Sequence, residues 1–124
     1  MEAIEETLLS LLNTNTDLIA IVEDRIKPVE LPLDCPLPAI SYTIVSDPRH
    51  QIAGSPRIQY SLFSYSYPEI VEMSEQIKLT FEGFSGVVNS RTIIRIYPEN
   101  SYDSSDSDPI IFQRVLDFRI VYIR

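Results

Sequence analysis

Phe112-Gln113-Arg114-Val115-Leu116-Asp117-Phe118-Arg119-Ile120-Val121-Tyr122-Ile123 closes the chain but for one arginine, and its alternation sets the fold. Phe112, Leu116, Phe118, Ile120 and Tyr122 share one face of an extended strand. Val115, Val121 and Ile123 fall on the opposite face, which an antiparallel strand washed by solvent usually keeps polar. The expectation is a sheet strand whose second face is covered by something.

Working backward, Arg91 to Tyr97 reads as the neighbouring strand, and residues 99–109, with an Asp-Ser-Ser-Asp-Ser-Asp core, read as a polar loop between the two. Ala39 to Ser46 (AISYTIVS) alternates Ile40, Tyr42 and Ile44 against Ser41 and Thr43. Ile58, Tyr60 and Leu62 alternate against Arg57, Gln59 and Ser61, so the two runs predict a long hairpin whose tip spans residues 49–55. Between the first helix pair and this hairpin stand Pro28, Pro32, Pro36 and Pro38, each lacking a backbone donor, which predicts an extended edge or a loop.

Helices are signalled by Ile4, Leu8, Leu11 and Leu12, with Glu5 and Glu6 in the first turn, and by a short run after Thr16 or Asp17 as cap. A third begins at Ser66-Tyr67-Pro68-Glu69, which has capping-box spacing, and carries Ile70, Met73, Ser74, Ile77, Phe81 and Phe84 on one stripe, with Gly83 as its C-terminal cap. The predicted fold is one α+β domain over residues 1–124: a mostly antiparallel sheet of about four to five strands with two main helices on one face.

Composition narrows the function. The chain has 124 residues, 44% hydrophobic and 23% charged, so a normal core is expected and disorder is not. Ten Lys+Arg against 18 Asp+Glu leave a net charge of −8, which repels phosphate backbones and anionic lipid, so neither tight nucleic-acid binding nor membrane association is expected. No apolar run reaches a bilayer span, and the acidic start lacks the basic region of a signal peptide. The single cysteine, Cys35, excludes an intrachain disulfide and a multi-cysteine zinc site.

No catalytic pattern emerges. A Ser-His-Asp triad would depend on His50, the sole histidine, and Gly83-Phe84-Ser85-Gly86 is one residue short of a nucleophile elbow and follows a helix rather than a strand. Asp34 beside Cys35 would raise the thiol's pKa, against a Cys-His dyad. Asp103, Asp106 and Asp108 lack the glycine and final glutamate of a calcium loop. The expectation is a non-enzymatic chain without metal or cofactor.

The order of features resembles the tail completion family of long-tailed bacteriophages and prophages, the tail terminators or tail-to-head joining proteins. The similar elements are the helix Ile4 to Leu12; Asp17-Leu18-Ile19 leading to Arg25-Ile26-Lys27-Pro28; Leu37-Pro38-Ala39-Ile40-Ser41-Tyr42; Arg57 to Ser64 after a tip at Gly54; the helix Tyr67 to Phe81 with Phe84-Ser85-Gly86; and Gln113 to Ile120. The resemblance implies a virion protein at the head-proximal end of the tail. Its copies form a ring, usually six-fold, that ends tube polymerisation, and its partners are the tail tube protein and the head connector or head-closure protein. Genome DNA passes through such a ring without tight binding, and negative charge suits a conduit that must not hold phosphate. For the ring that the resemblance implies, the candidate subunit interface is Ile93, Tyr97, Val115, Val121 and Ile123, and the candidate partner or lumen loops carry Arg49, His50 and Gln51 in one, and Tyr102, Asp103, Asp106 and Asp108 in the other. A head-closure or adaptor ring is the neighbouring alternative. A monomeric acidic inhibitor mimicking nucleic acid is the alternative of a different class.

Overall fold

The computed structural model describes residues 3–48, 52–107 and 110–123. Its elements in order are α1 (Ile4–Leu12), α2 (Thr16–Val22), β1 (Ile26–Pro28), β2 (Ala39–Ser46), β3 (Ala53–Gly54), β4 (Arg57–Ser64), α3 (Tyr67–Phe81), β5 (Gly86–Val88), β6 (Arg91–Ser107) and β7 (Ile110–Ile123). One seven-stranded sheet runs β1-β2-β4-β7-β6-β5, with β3 paired to β7 beyond the end of β4. β1 lies parallel to β2 and every other pairing is antiparallel.

This corrects the expected sheet of four to five antiparallel strands under two helices: the sheet is mixed, has seven strands, and is accompanied by three helices among the described residues. The reasons are local. Pro28 is the last residue of an edge strand, where the donor it lacks is not missed, and the next N–H, from Val29, donates to the Tyr42 carbonyl at 2.7 Å. The Asp/Ser-rich segment expected as a loop is instead the distal half of β6, paired to β7 from Asn100↔Asp117 to Ser107↔Ile110. It is the outer strand of this part of the sheet, where a polar composition resembles that of a loop. Asn89 and Ser90, with φ of 50° and 66°, make the two-residue turn between β5 and β6 that twist favours.

The expected hairpin is present as β2 and β4, in register at Ile40↔Leu62, Tyr42↔Tyr60 and Ile44↔Ile58. Gly54 is not at its tip but in β3, opposite Tyr122; a Cβ there would lie 2.5 Å from the Tyr122 ring, so only glycine admits that packing. Two helix caps also differ from expectation. Asn15, not Thr16 or Asp17, caps α2, its Oδ1 accepting from Leu18 N at 3.0 Å while its amide donates to Thr80 Oγ1 at 2.9 Å on α3. Ser66 makes no side-chain cap on α3; Glu69 instead accepts from Ser64 Oγ at 2.6 Å, and that oxygen accepts from Ser66 N at 3.0 Å. Gly83, at φ 73°, ends the helix as expected, and its N–H reaches the Ile96 carbonyl at 3.1 Å.

The core lies between the helices and the even-numbered side chains of β2, β4 and β7. Ile40, Ile58, Leu62 and Ile120 meet Leu8, Leu12, Leu18, Met73 and Ile77, all fully buried. Tyr60, Phe81 and Phe118 form a mutually packed trio, ring centroids 5.2 to 6.2 Å apart, with Tyr42 at 6.1 Å from Tyr60. Burial pushes the Tyr60 hydroxyl far above its ordinary pKa, and the hydroxyl oxygen has no hydrogen-bond partner. Phe118→Ala is therefore expected to cost about 3–5 kcal/mol, whereas Tyr60→Phe leaves stability unchanged or raised because it removes an unpaired polar atom. Urea unfolding midpoints of the two variants check this; a large loss from Tyr60→Phe would show that the hydroxyl is bonded in solution.

Candidate functional site

The helices cover one face of the sheet only. On the other face stand the odd-numbered side chains of β7 and β4, which register as Arg119↔Arg57, Asp117↔Gln59, Val115↔Ser61 and Gln113↔Phe63. β6 adds Arg95 opposite Val121, Tyr97 opposite Arg119 and Tyr102 opposite Val115. None of these residues belongs to the core cluster that contains the helices' side chains. We refer to this surface as the open face.

Two β-bulges in β6 decide which side chains reach it. The register slips between Ile93 and Arg95 and again between Pro98 and Asn100. The first slip turns Ile93 inward opposite Tyr122, where it is 1% exposed, so Ile93 sits in the core and not with Tyr97 on the expected interface. Tyr97 and Ile123 are exposed, Val121 is half-buried, and all three are on the open face. Val115 is on that face too but only 1% exposed.

The second slip decides which of the neighbours Tyr102 and Asp103 faces outward. Tyr102 is exposed on the open face, and Asp103 lies on the helix side, paired with Arg114. Arg114 Nε donates to Asp103 Oδ1 at 2.8 Å and Nη2 to Tyr67 Oη at 2.9 Å, while Tyr67 Oη donates to Asp103 Oδ2 at 3.1 Å. Arg114 holds the Asp103 carboxyl below its ordinary pKa. With the Tyr67 ring packed edge-on to Phe112 at 5.5 Å, this clamp ties the distal hairpin to the start of α3. Asp106 is in β6 opposite Ile111. Arg49, His50, Gln51 and Asp108 lie outside the described residues.

Residues that the sequence reading passed over carry the electrostatics of the open face. Arg119 Nε donates to Glu99 Oε1 at 2.7 Å and Nη1 to the Ser55 carbonyl at 2.9 Å. Asp117 is only 6% exposed, and among the described residues neither its Oδ1 nor the buried Nε of Arg57 has a hydrogen-bond partner. Burial raises the Asp117 pKa, Arg57 lowers it, and Glu99 raises it again, with a net upward shift. A signal for these residues is in the sequence: Asp117 and Arg119 are charges at odd positions of a strand whose other odd positions include Val115, Val121 and Ile123.

The face can recognise a surface through guanidinium donors, a buried carboxylate, tyrosines and aliphatic contact. Cys35 is in the connector between β1 and β2, and among the described residues no three His, Cys, Asp or Glu side chains gather as metal ligands. No described helix is long and apolar enough to cross a membrane.

The chain matches no family model and no curated protein. Among solved structures it is similar to a chain in the virion of a native gene transfer agent particle, with a TM-score of 0.66 at 10% identity, covering all of both chains. That likeness is one of fold.

The two perturbed aspartates give opposite pH signs. Asp117 has a folded pKa above the unperturbed 3.8, so its charge weakens the monomer as pH rises through the folded value. Asp117→Asn is expected to raise the melting temperature at neutral pH and to change little below pH 3.8. Asp103 is stabilising above 3.8 and loses that contribution as pH falls through its lowered pKa. Because this pair is partly exposed, Asp103→Asn should cost no more than about 1 kcal/mol at neutral pH. Melting curves of both variants against pH check the signs; a destabilised Asp117→Asn at neutral pH would contradict the first.

Proposed function

We propose that this chain is a structural protein of a phage-like particle and acts as a tail terminator. In this reading its copies form a ring, six-fold, on the head-proximal end of the tail tube, stop further polymerisation, and present a surface to the head connector or head-closure protein. The observation that carries the reading is the full-length likeness of fold to a chain of a gene transfer agent virion, with all of both chains aligned.

Physical features support it. A ring needs a heterologous contact, in which one patch of each subunit meets a different patch of its neighbour. The open face, with Tyr97, Val121 and Ile123 at its surface, offers such a patch. The long β6–β7 hairpin presents Tyr102 to a tube, connector or lumen, and the acidic residues Asp106 and Asp108 and the segment Arg49-His50-Gln51 are assigned to the same contacts in this reading. A net charge of −8 suits a conduit through which DNA slides. The reading involves no catalytic step and no cofactor.

The test mixes the purified protein with tubes polymerised from the cognate tube protein. Light scattering across a concentration series and electron microscopy are expected to show closed rings, or caps at one end of each tube, and shorter tubes when the protein is present during growth. Tubes of unchanged length with bare ends would contradict the proposal.

A further inference from the structure

The two outward surfaces of the molecule differ in charge. On the open face, Arg57, Arg95 and Arg119 are accompanied by Glu99 and Asp117. Arg57 and Arg119 are direct cross-strand partners, a like-charge arrangement that costs stability. Arg119 is relieved by Glu99 at 2.7 Å, but the buried Nε of Arg57 has no acceptor, and Asp117 beside it keeps an oxygen without a donor. Buried polar groups left unpaired are rare in finished structures, and among the described residues two of them lie on a face that no described helix covers.

On the far side, α3 turns Ile70, Met73, Ile77 and Phe81 toward the sheet and leaves Glu72, Glu75 and Leu79 exposed. Their spacing puts them on one outward stripe. Leu79 is 75% exposed, a large apolar side chain among acids. The helix's one cation, Lys78, turns instead toward Glu99 and Asn100, beside which it lines a groove. The outward stripe is thus acidic around a single apolar projection, and the open face is arginine-bearing around aliphatic side chains.

We propose that these surfaces are each other's occupants: the outer stripe of α3 in one copy lies across the open face of the next copy. Glu72 and Glu75 serve as acceptors for Arg57 and Arg95, and Leu79 packs against the aliphatic strip of Val121 and Ile123. Because the two patches differ, the contact is head-to-tail and propagates from copy to copy, closing where the rotation per subunit permits. This rests on the ring reading above and adds which surfaces meet in it.

Charge reversal tests it. Arg57→Glu alone and Glu72→Lys/Glu75→Lys together are each expected to raise the concentration at half-assembly on the order of tenfold or more, and combining them should recover most of that loss. The α3 pair is on an exposed helical surface, so it keeps its fold and its melting temperature even if Arg57→Glu does not. Assembly of the α3 variant at the unaltered midpoint overturns this inference while leaving the ring reading intact. Loss in both variants without recovery in the combination overturns the pairing of these two surfaces. Failure of the unaltered protein to assemble, alone or on tubes, overturns the ring reading and this inference together.

Discussion

Strand β7 is hydrogen-bonded along both of its edges, by β4 and β3 on one side and by β6 on the other, and the rest of the molecule is positioned by it. The strict alternation of Leu116, Phe118, Ile120 and Tyr122 fixes its register, because a slip of one residue would turn those four side chains out of the core. Phe118 then meets Tyr60 from β4 and Phe81 from α3, so a single ring cluster joins the two central strands to the longest helix. α1 and α2 complete the same layer, the latter held to α3 by the Asn15 amide.

A sheet packed on one side only has a second side with its own chemistry. Here that side is set by two bulges in β6, each of which shifts the side-chain alternation by one residue. Without them Ile93 and Tyr97 would share a face and Tyr102 would lie with the core. With them, Ile93 is internal, Tyr97 and Tyr102 are external, and Asp103 is placed to clamp the hairpin through Arg114 and Tyr67. The open face that results mixes charged and polar side chains with aromatic and aliphatic ones, which fits contact with a protein surface better than permanent exposure.

Periodicity carried the parts of the fold that obey it. β2, β4, β7, α1 and α3 were legible because apolar residues recur along them at a period of two or 3.6. β1, β3 and β5 are two or three residues long and have no period to read; they exist because a neighbouring strand offers partners. The distal half of β6 was read as a loop because Ser and Asp are turn formers in isolation, yet pairing with residues 110–117 of β7 holds it extended. For the site, the apolar second face of β7 was legible, and Tyr97, Val121 and Ile123 stand on it. The bulges were not, so Ile93 was misplaced. Arg57, Asp117 and Arg119 were passed over because charges on a strand usually mark a solvated face, and only coordinates reveal that Asp117 is buried without a full set of partners.

The central claim is that the open face is covered when the protein assembles. Hydroxyl-radical footprinting, read by mass spectrometry on the free protein and on its assembled form, addresses this side chain by side chain. The account predicts that Tyr97, Ile123 and Leu79 become protected together on assembly, while Phe118 and Tyr60 stay protected in both states. Assembly that leaves Tyr97 and Ile123 as reactive as in the free protein would contradict it.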